Sequence, residues 1–236
     1  MTAQAEAGRQ ATRFLLLYAL AVAGGAVAYV PFLTILLPLQ VTNLAGAADI
    51  NWLAYLTFAG AITASGANIL FGWLSDQIRN RRIWVWIGLF TSSAILIAFS
   101  AVGTFWALLG FIVIWQIALN MMLSPLAAWA GDSIPDNQKG TLGGLLAFAP
   151  ALGAVAGAII TIPGLASPDT RLWIVAGMVA LCILPVLLFG APERFAHLEA
   201  PAEEGAHDQP ASPESRRIVA RMWLSRLLIQ VCEAAL

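Results

Sequence analysis

The chain has 236 residues, of which 60% are hydrophobic and only 11% are charged, and its formal net charge is −1. Soluble domains carry about 25% charged residues, so this composition and a mean hydropathy of +0.81 exclude a water-soluble protein. A soluble helical core would also alternate polar and apolar faces, whereas the long stretches of this chain are apolar all round.

A bilayer crossing needs about 20 apolar residues, and charges or Pro, Gly, Asn and Asp clusters mark its ends. This criterion predicts an all-α polytopic membrane protein with six complete spans. The predicted spans are Phe14–Leu39, Ile50–Leu74, Ile83–Ser100, Phe105–Ala130, Thr141–Leu165 and Leu172–Phe189. The chain is thus predicted to divide into four parts: a tail over 1–13, a six-helix bundle over 14–190, a polar linker over 191–217, and the start of a seventh span over 218–236.

The positions of Lys and Arg predict the orientation, because positively charged loops stay on the cytoplasmic side. If the spans alternate in direction, 11 of the 12 basic residues lie on one side and only Arg171 lies on the other. We therefore expect a cytoplasmic amino terminus and linker, in a plasma (inner) membrane. A cleavable secretory signal ending near Ala23 is the alternative for the first span, but its apolar run continues to Leu39.

The loop between the second and third spans carries the most specific motif. It contains Gly72, Leu74, Ser75 and Asp76, followed by a cluster of arginines. These basic residues are Arg79, Arg81 and Arg82. The segment resembles the loop signature G-x-L-[AS]-D-R-x-G-R-[RK] of the major facilitator superfamily. Six spans, a polar linker and the beginning of a seventh also resemble the first half of that family's architecture, a bundle of two three-helix repeats, here truncated in helix 7.

The resemblance implies that Asp76 and the arginines belong to a cytoplasmic charge network that helps to hold two halves closed. Asp132, at the end of the fourth span, is the candidate carboxylate for such an arginine. The arginines also serve as positive-inside determinants. Gln77 stands where the family usually has Arg, and Arg79 where it usually has Gly, so one-to-one roles for Arg79 and Arg81 do not follow from the motif.

The fifth span contains Pro150, Gly153 and Gly157. Proline frees a backbone carbonyl and can bend a helix, and a G-x-x-x-G face permits close helix packing. The segment resembles, with substitutions around the proline, the span-five motif of family antiporters. Packing is the favoured interpretation because G-x-x-x-G is common in membrane helices.

The centres of the six spans carry no Asp, Glu, Lys, Arg or His, so proton coupling within them has no support from the sequence. Uncharged polar groups are the candidates for a substrate cavity, with interhelical hydrogen bonding as the alternative role. They are Tyr29, Thr34, Asn68, Gln116 and Asn120. Gln116 and Asn120 are spaced i, i+4 and share a helix face.

No Walker loop, nucleophile elbow or metal-binding helix motif occurs in the sequence, which argues against an ATP-driven pump or an enzyme. We expect no cofactor, no metal site and no nucleic-acid partner. The predicted function is a secondary transporter that moves a small solute by alternating access, as a truncated chain or fragment. The alternative is a non-transporting assembly or regulatory subunit built on the same half-bundle. Expected partners are the lipid bilayer, an unidentified small-molecule substrate, and a second half or second copy of the chain.

Overall fold

The computed structural model describes residues 8–46, 49–78, 80–193, 195, 221 and 224. These residues form six helices that are long enough to cross a membrane. They are span 1 (Thr12–Ala45), span 2 (Asp49–Ile78), span 3 (Arg81–Ala101), span 4 (Phe105–Ser133), span 5 (Asp136–Ile160) and span 6 (Pro168–Phe189). No strand occurs in these described ranges. The predicted all-helical membrane fold is therefore confirmed. The predicted seventh segment lies outside the described residues except at Arg221 and Leu224.

The chain divides into two compact units, Met1–Leu198 and Glu199–Leu236, and all six spans belong to the first. Spans 1 and 5 differ from their predicted bounds. Span 1 runs six residues past Leu39, because its uncharged polar end meets no helix breaker before Gly46, which has a φ of 55°. Span 5 begins five residues before Thr141, because Asp136 in the first turn interacts favourably with the helix dipole. It ends at Ile160, ahead of a turn around Gly164, whose φ is 77°.

Proline interrupts two of the spans. In span 1 the helix Thr12–Pro31 passes into a short π-helical segment, Phe32–Leu36, before regular α-helix resumes. In span 5 the helix breaks at residues 147–148 and resumes at Ala149 with Pro150 in its first turn. A proline ring clashes with the carbonyl four residues earlier and lacks an N–H to donate, so both breaks lie where the ladder of hydrogen bonds is weakened.

The packing of the spans shows how the bundle is assembled. Span 1 packs against spans 5 and 6, span 4 packs against spans 2 and 3, and spans 3 and 6 also touch. Exchanging span 1 with 4, 2 with 5 and 3 with 6 leaves this pattern unchanged. The six spans therefore form two interlocked groups of three, in which the first helix of each group packs on the second and third helices of the other.

Spans 1, 3 and 4 meet in an aromatic cluster. The ring centroid of Phe32 lies 4.8 Å from that of Phe99 and 4.4 Å from that of Trp115, and Phe99 lies 5.1 Å from Phe111. Tilted and edge-on rings at such distances interact favourably beyond their simple packing. Towards the other end of the bundle, the buried Tyr18 hydroxyl donates to the carbonyl of Leu126 at 2.8 Å, which joins span 1 to span 4.

Span 2 lies at the edge of the bundle and exposes much of its surface. Its exposed large side chains include Tyr55, Phe58, Ile62 and Ile69. Span 5 is also largely exposed, with Leu152 and Val155 facing outward. Spans 2 and 5 occupy equivalent positions in the two groups of three, so their open faces lie at equivalent places in the bundle.

Close packing of spans 3 and 4 at Gly88 leads to a first prediction. A Cβ atom added at Gly88 would lie 2.5 Å from the backbone nitrogen of Met122, so Gly88→Ala must push the two helices apart. We expect a loss of about 1–3 kcal/mol in the free energy of unfolding, measured by denaturant-induced unfolding in detergent micelles. Gly110→Ala is the matched control, because a Cβ there meets nothing within 4 Å. Equal stability of the two variants would contradict this account of the packing.

Candidate functional site

One end of the bundle carries a group of polar residues that we call the charge cluster: Ser75, Asp76, Arg81 and Asp132. Arg81 is the first residue of span 3. Its Nε donates to Oδ2 of Asp132 at 2.8 Å, and its Nη1 donates to the Ser75 hydroxyl at 2.6 Å. The same Nη1 forms an ion pair with Asp76. One guanidinium thus joins the end of span 2, the start of span 3 and the end of span 4.

Burial in the charge cluster is uneven. The Arg81 side chain is 16% exposed, whereas those of Asp76 and Asp132 are 58% and 52% exposed. The two acids therefore remain in contact with solvent, whereas most of the Arg81 side chain is covered by the helices. Asn80 begins span 3 by accepting a hydrogen bond from the Ile83 N–H, which fixes the direction of the helix that carries Arg81.

Arg82 points to a different partner. Its Nη2 donates to the carbonyl of Leu187, close to the carboxyl end of span 6, and its guanidinium lies 5.8 Å from the ring centroid of Trp129. A cation at a helix carboxyl terminus interacts favourably with the helix dipole and with free carbonyls. Arg82 therefore links spans 3 and 6, and it is not part of the charge cluster. Arg79, the third predicted arginine of the loop, lies outside the described residues.

A second polar group at the same end is formed by two glutamines, which we call the glutamine clamp. The Gln138 side chain accepts from the N–H of Gln10 at 2.6 Å and donates to its carbonyl at 3.1 Å. The Gln10 side chain does the same for the backbone of Glu193, at 3.1 and 2.7 Å, and also donates to the carbonyl of Ser133. Both glutamine residues are buried. The clamp holds together the segment before span 1, the connection between spans 4 and 5, and the segment after span 6.

Near the middle of the bundle, spans 2 and 4 share a line of polar side chains that we call the amide row: Asn68, Gln116, Asn120 and Ser124. Asn120 Nδ2 donates to the Gln116 carbonyl at 2.9 Å, and Asn68 Nδ2 approaches Asn120 Oδ1 at 3.4 Å. The Ser124 hydroxyl donates to the Asn68 carbonyl at 2.7 Å. Gln116 and Asn120 are buried, whereas Asn68 is exposed.

The structure does not bring the other two candidate cavity residues into this row. Tyr29 is half-buried and packs beside the small residues of span 1, near Ala26. Thr34 is exposed, and its hydroxyl donates to the Val30 carbonyl of its own helix at 2.7 Å. A hydroxyl bonded back to its own helix is common and does not by itself indicate a ligand site.

Span 5 contacts span 1 through the predicted glycine face. A Cβ added at Gly153 would lie 2.9 Å from the Ala26 carbonyl oxygen, and one added at Gly157 would lie 2.9 Å from the Ile35 side chain. Pro150 lies at the break of span 5. Gly72 approaches the Ser124 hydroxyl in the same manner, so the loop motif begins where spans 2 and 4 are close.

Several residues of these polar groups were not singled out in the sequence. Ser124 continues the i, i+4 spacing of Gln116 and Asn120, so the helical period alone indicates that it shares their face. Gln10 and Gln138 are single uncharged residues 128 positions apart, and no local pattern links them. Within the described ranges, no three His, Cys, Asp or Glu side chains converge on a point where they could hold a metal ion.

Six apolar helices of membrane-crossing length, with the charge cluster at one end of the bundle, define an integral helical membrane protein in contact with the lipid bilayer. The chain belongs to the Major Facilitator Superfamily, whose family model matches residues 9–234. Members of this family are transporters, so the match supports transport across a membrane as the general function. No curated protein matches the chain.

The geometry of the charge cluster predicts unequal effects of its members on stability. Arg81→Ala removes three contacts, so it is expected to lower the free energy of unfolding more than Asp76→Asn or Asp132→Asn. Because both acids are half exposed, a double-mutant cycle should give an Arg81–Asp132 coupling of at most about 1 kcal/mol. Lys139→Ala, which removes an exposed pair with Asp136, is the control and should change little. If Arg81→Ala were no less stable than this control, Arg81 would not be the residue that holds the charge cluster together.

The glutamine clamp provides a second prediction at this end of the molecule. Gln10→Ala leaves the backbone groups of Glu193 and the Ser133 carbonyl without this side-chain partner, and the expected loss is about 1–3 kcal/mol of unfolding free energy. Thermal unfolding in detergent measures it. Gln77→Ala is the matched control, because Gln77 is exposed at the same end. The Gln138 side chain binds the backbone of Gln10 and so positions the Gln10 side chain. The double variant should therefore lose less than the sum of the two single losses, and strict additivity would argue against a clamp.

Proposed function

We propose that the chain is the first six-helix half of a secondary active transporter that moves a small polar solute by alternating access. The single observation that carries the proposal is the amide row. Asn120 lies one residue from the midpoint of span 4 (Phe105–Ser133), so its amide is near the middle of the membrane. Amide groups at this depth are costly unless they are paired or face an aqueous cavity.

The pairing within the amide row is incomplete on the side of span 2. Asn68 contacts Asn120 only at 3.4 Å, close to the limit for a hydrogen bond, and its side chain is exposed. Interhelical packing alone does not require an exposed amide at this depth. An aqueous pathway along spans 2 and 4 would hydrate Asn68 and present Gln116 and Asn120 to a solute. Amides both donate and accept hydrogen bonds, which suits solutes with hydroxyl, amide or similar groups.

The open faces of spans 2 and 5 support a second half, or a second copy of the chain, on the other side of this pathway. Asn68 and the exposed Ser65 lie on span 2, whose outward side mixes polar and apolar groups. Covering that face would close the pathway laterally. In this arrangement the protein lies in a plasma (inner) membrane, with the amino terminus and the arginine-rich end on the cytoplasmic side. The charge cluster then lies at the cytoplasmic mouth of the pathway.

The experiment measures whether water reaches Asn68. In a background with Cys182→Ala and Cys232→Ala, Asn68→Cys in membrane vesicles is treated with a charged, membrane-impermeant thiol reagent. We expect Asn68→Cys to react, because the pathway is aqueous. Leu181→Cys is the control: Leu181 is 73% exposed on span 6 and should face lipid and remain unlabelled. An Asn68→Cys variant that is as unreactive as Leu181→Cys would overturn the proposed pathway.

Transport itself is tested with the chain reconstituted in liposomes and a solute mixture analysed by mass spectrometry. Asn120→Leu is expected to abolish uptake of any solute that the unaltered chain accumulates, whereas Ser65→Ala, whose hydroxyl bonds its own helix, should retain it. Light scattering corrected for bound detergent gives the oligomeric mass alongside. If the chain is a dimer, a second copy supplies the other side of the pathway. If it is a monomer, a different partner must supply that side.

A further inference from the structure

At the end of the bundle opposite the charge cluster, a cavity of about 210 Å³ lies between the ends of spans 1 and 3 and the start of span 6. Its apolar wall is formed by buried residues, among them Leu36, Phe99 and Leu172. The adjoining Leu39 also lines the cavity and is 50% exposed. The cavity therefore joins a well-packed apolar floor to a surface that lipid can reach.

The rim of this cavity is polar and carries charges of both signs. Asn43 and Asp169 are exposed at the rim, and Arg171 lines the cavity from the first turn of span 6. The Gln40 amide donates to the Val102 carbonyl at 2.9 Å, which holds the end of span 1 against the turn between spans 3 and 4. This hydrogen bond holds the Gln40 side of the cavity in place without a ligand.

Arg171 is the part of the cavity that lacks a partner. Its Nε is buried and has no hydrogen-bond partner, and in the described ranges no carboxylate lies within ion-pair distance of its guanidinium. A buried donor without a partner is destabilising unless a ligand or water satisfies it. The arginine side chain is also the group best suited to bind a phosphate with two parallel hydrogen bonds.

Three features define the ligand. The free guanidinium favours an anionic phosphate, the Asp169 carboxylate at the rim favours an ammonium group, and the exposed Leu39 offers acyl chains an apolar surface beside the cavity. A cavity of 210 Å³ is smaller than the roughly 300–1,000 Å³ of sites for whole drug-sized ligands, so it accommodates a headgroup and leaves the chains outside. We propose that this cavity binds the headgroup of an ethanolamine phospholipid, with Arg171 on the phosphate and Asp169 on the ammonium group.

Ethanolamine is favoured over choline because its ammonium group retains N–H donors for the Asp169 carboxylate, whereas a quaternary choline nitrogen has none. An anionic headgroup such as phosphatidylglycerol would also satisfy Arg171, but its neutral hydroxyl groups offer the Asp169 carboxylate no opposite charge. The selectivity between headgroups thus depends on Asp169, and the affinity depends mainly on Arg171. This division of roles separates a built lipid site from general attraction to a charged surface.

The test is native mass spectrometry of the purified full chain equilibrated with equal amounts of phosphatidylethanolamine, phosphatidylcholine and phosphatidylglycerol. The unaltered chain should retain phosphatidylethanolamine preferentially. Arg171→Gln should lower that retention at least about tenfold, because it removes the charge-assisted hydrogen bonds to the phosphate. Asp169→Asn should abolish the preference for ethanolamine over choline. The charge-matched controls, Lys139→Gln and Asp49→Asn, lie outside the cavity and should retain the selectivity of the unaltered chain.

Each alternative outcome overturns the proposal in a defined way. Equal retention of ethanolamine and choline lipids by the unaltered chain would show that the cavity does not recognise the headgroup. Displacement of the lipid by an equal concentration of soluble glycerophosphoethanolamine would show that it binds a free zwitterion and not a lipid. If Arg171→Gln fails to fold, Asp169→Asn still decides the matter, because Asp169 is exposed and its loss must change selectivity.

Discussion

Close approach of helix backbones is the interaction on which the rest of this bundle depends. Inside a membrane the hydrophobic effect does not favour contact between helices over contact with lipid. Helix association therefore relies on tight packing and on hydrogen bonds between helices. Gly88 supplies this approach between spans 3 and 4, and Gly153 supplies it between spans 5 and 1. The polar groups follow from it, because the amide row and the charge cluster form only where span 4 is held close to spans 2 and 3.

The polar contacts are divided by depth. At the arginine-rich end, charged and amide side chains join most of the spans: Arg81 connects spans 2, 3 and 4, and Arg82 reaches span 6. Gln10 binds the end of span 4 and the segment after span 6. In the middle, the polar contacts are uncharged and concentrated on spans 2 and 4. Polar side-chain contacts therefore hold the spans together at the arginine-rich end, whereas the central section relies mainly on packing between small and apolar side chains.

Much of this architecture could be predicted from the sequence, because the length of an apolar run predicts a membrane crossing and the arginines mark the ends of the spans. The six spans were predictable since each crossing needs a long apolar run. Asp132 could be nominated as a partner for an arginine because both lie at span ends on the same predicted side. The glutamine clamp could not be predicted, since Gln10 and Gln138 become neighbours only through the packing of spans 1, 4 and 5. The π-helical form of Phe32–Leu36 could not be predicted either, because Pro31 marks a point where the helix is weakened but does not specify a π-helical turn there.

The interrupted helices of spans 1 and 5 have a mechanical consequence. Each is weakened where regular hydrogen bonding is lost, at Phe32–Leu36 in one and at residues 147–148 in the other. The two helices also touch between these points, where Gly153 lies against Ala26 and Val30. Helices bend most easily at such breaks, and a tight contact between them transmits displacement. Because the two helices meet at this contact, bending either helix at its break would shift the residues of the other helix that pack against it.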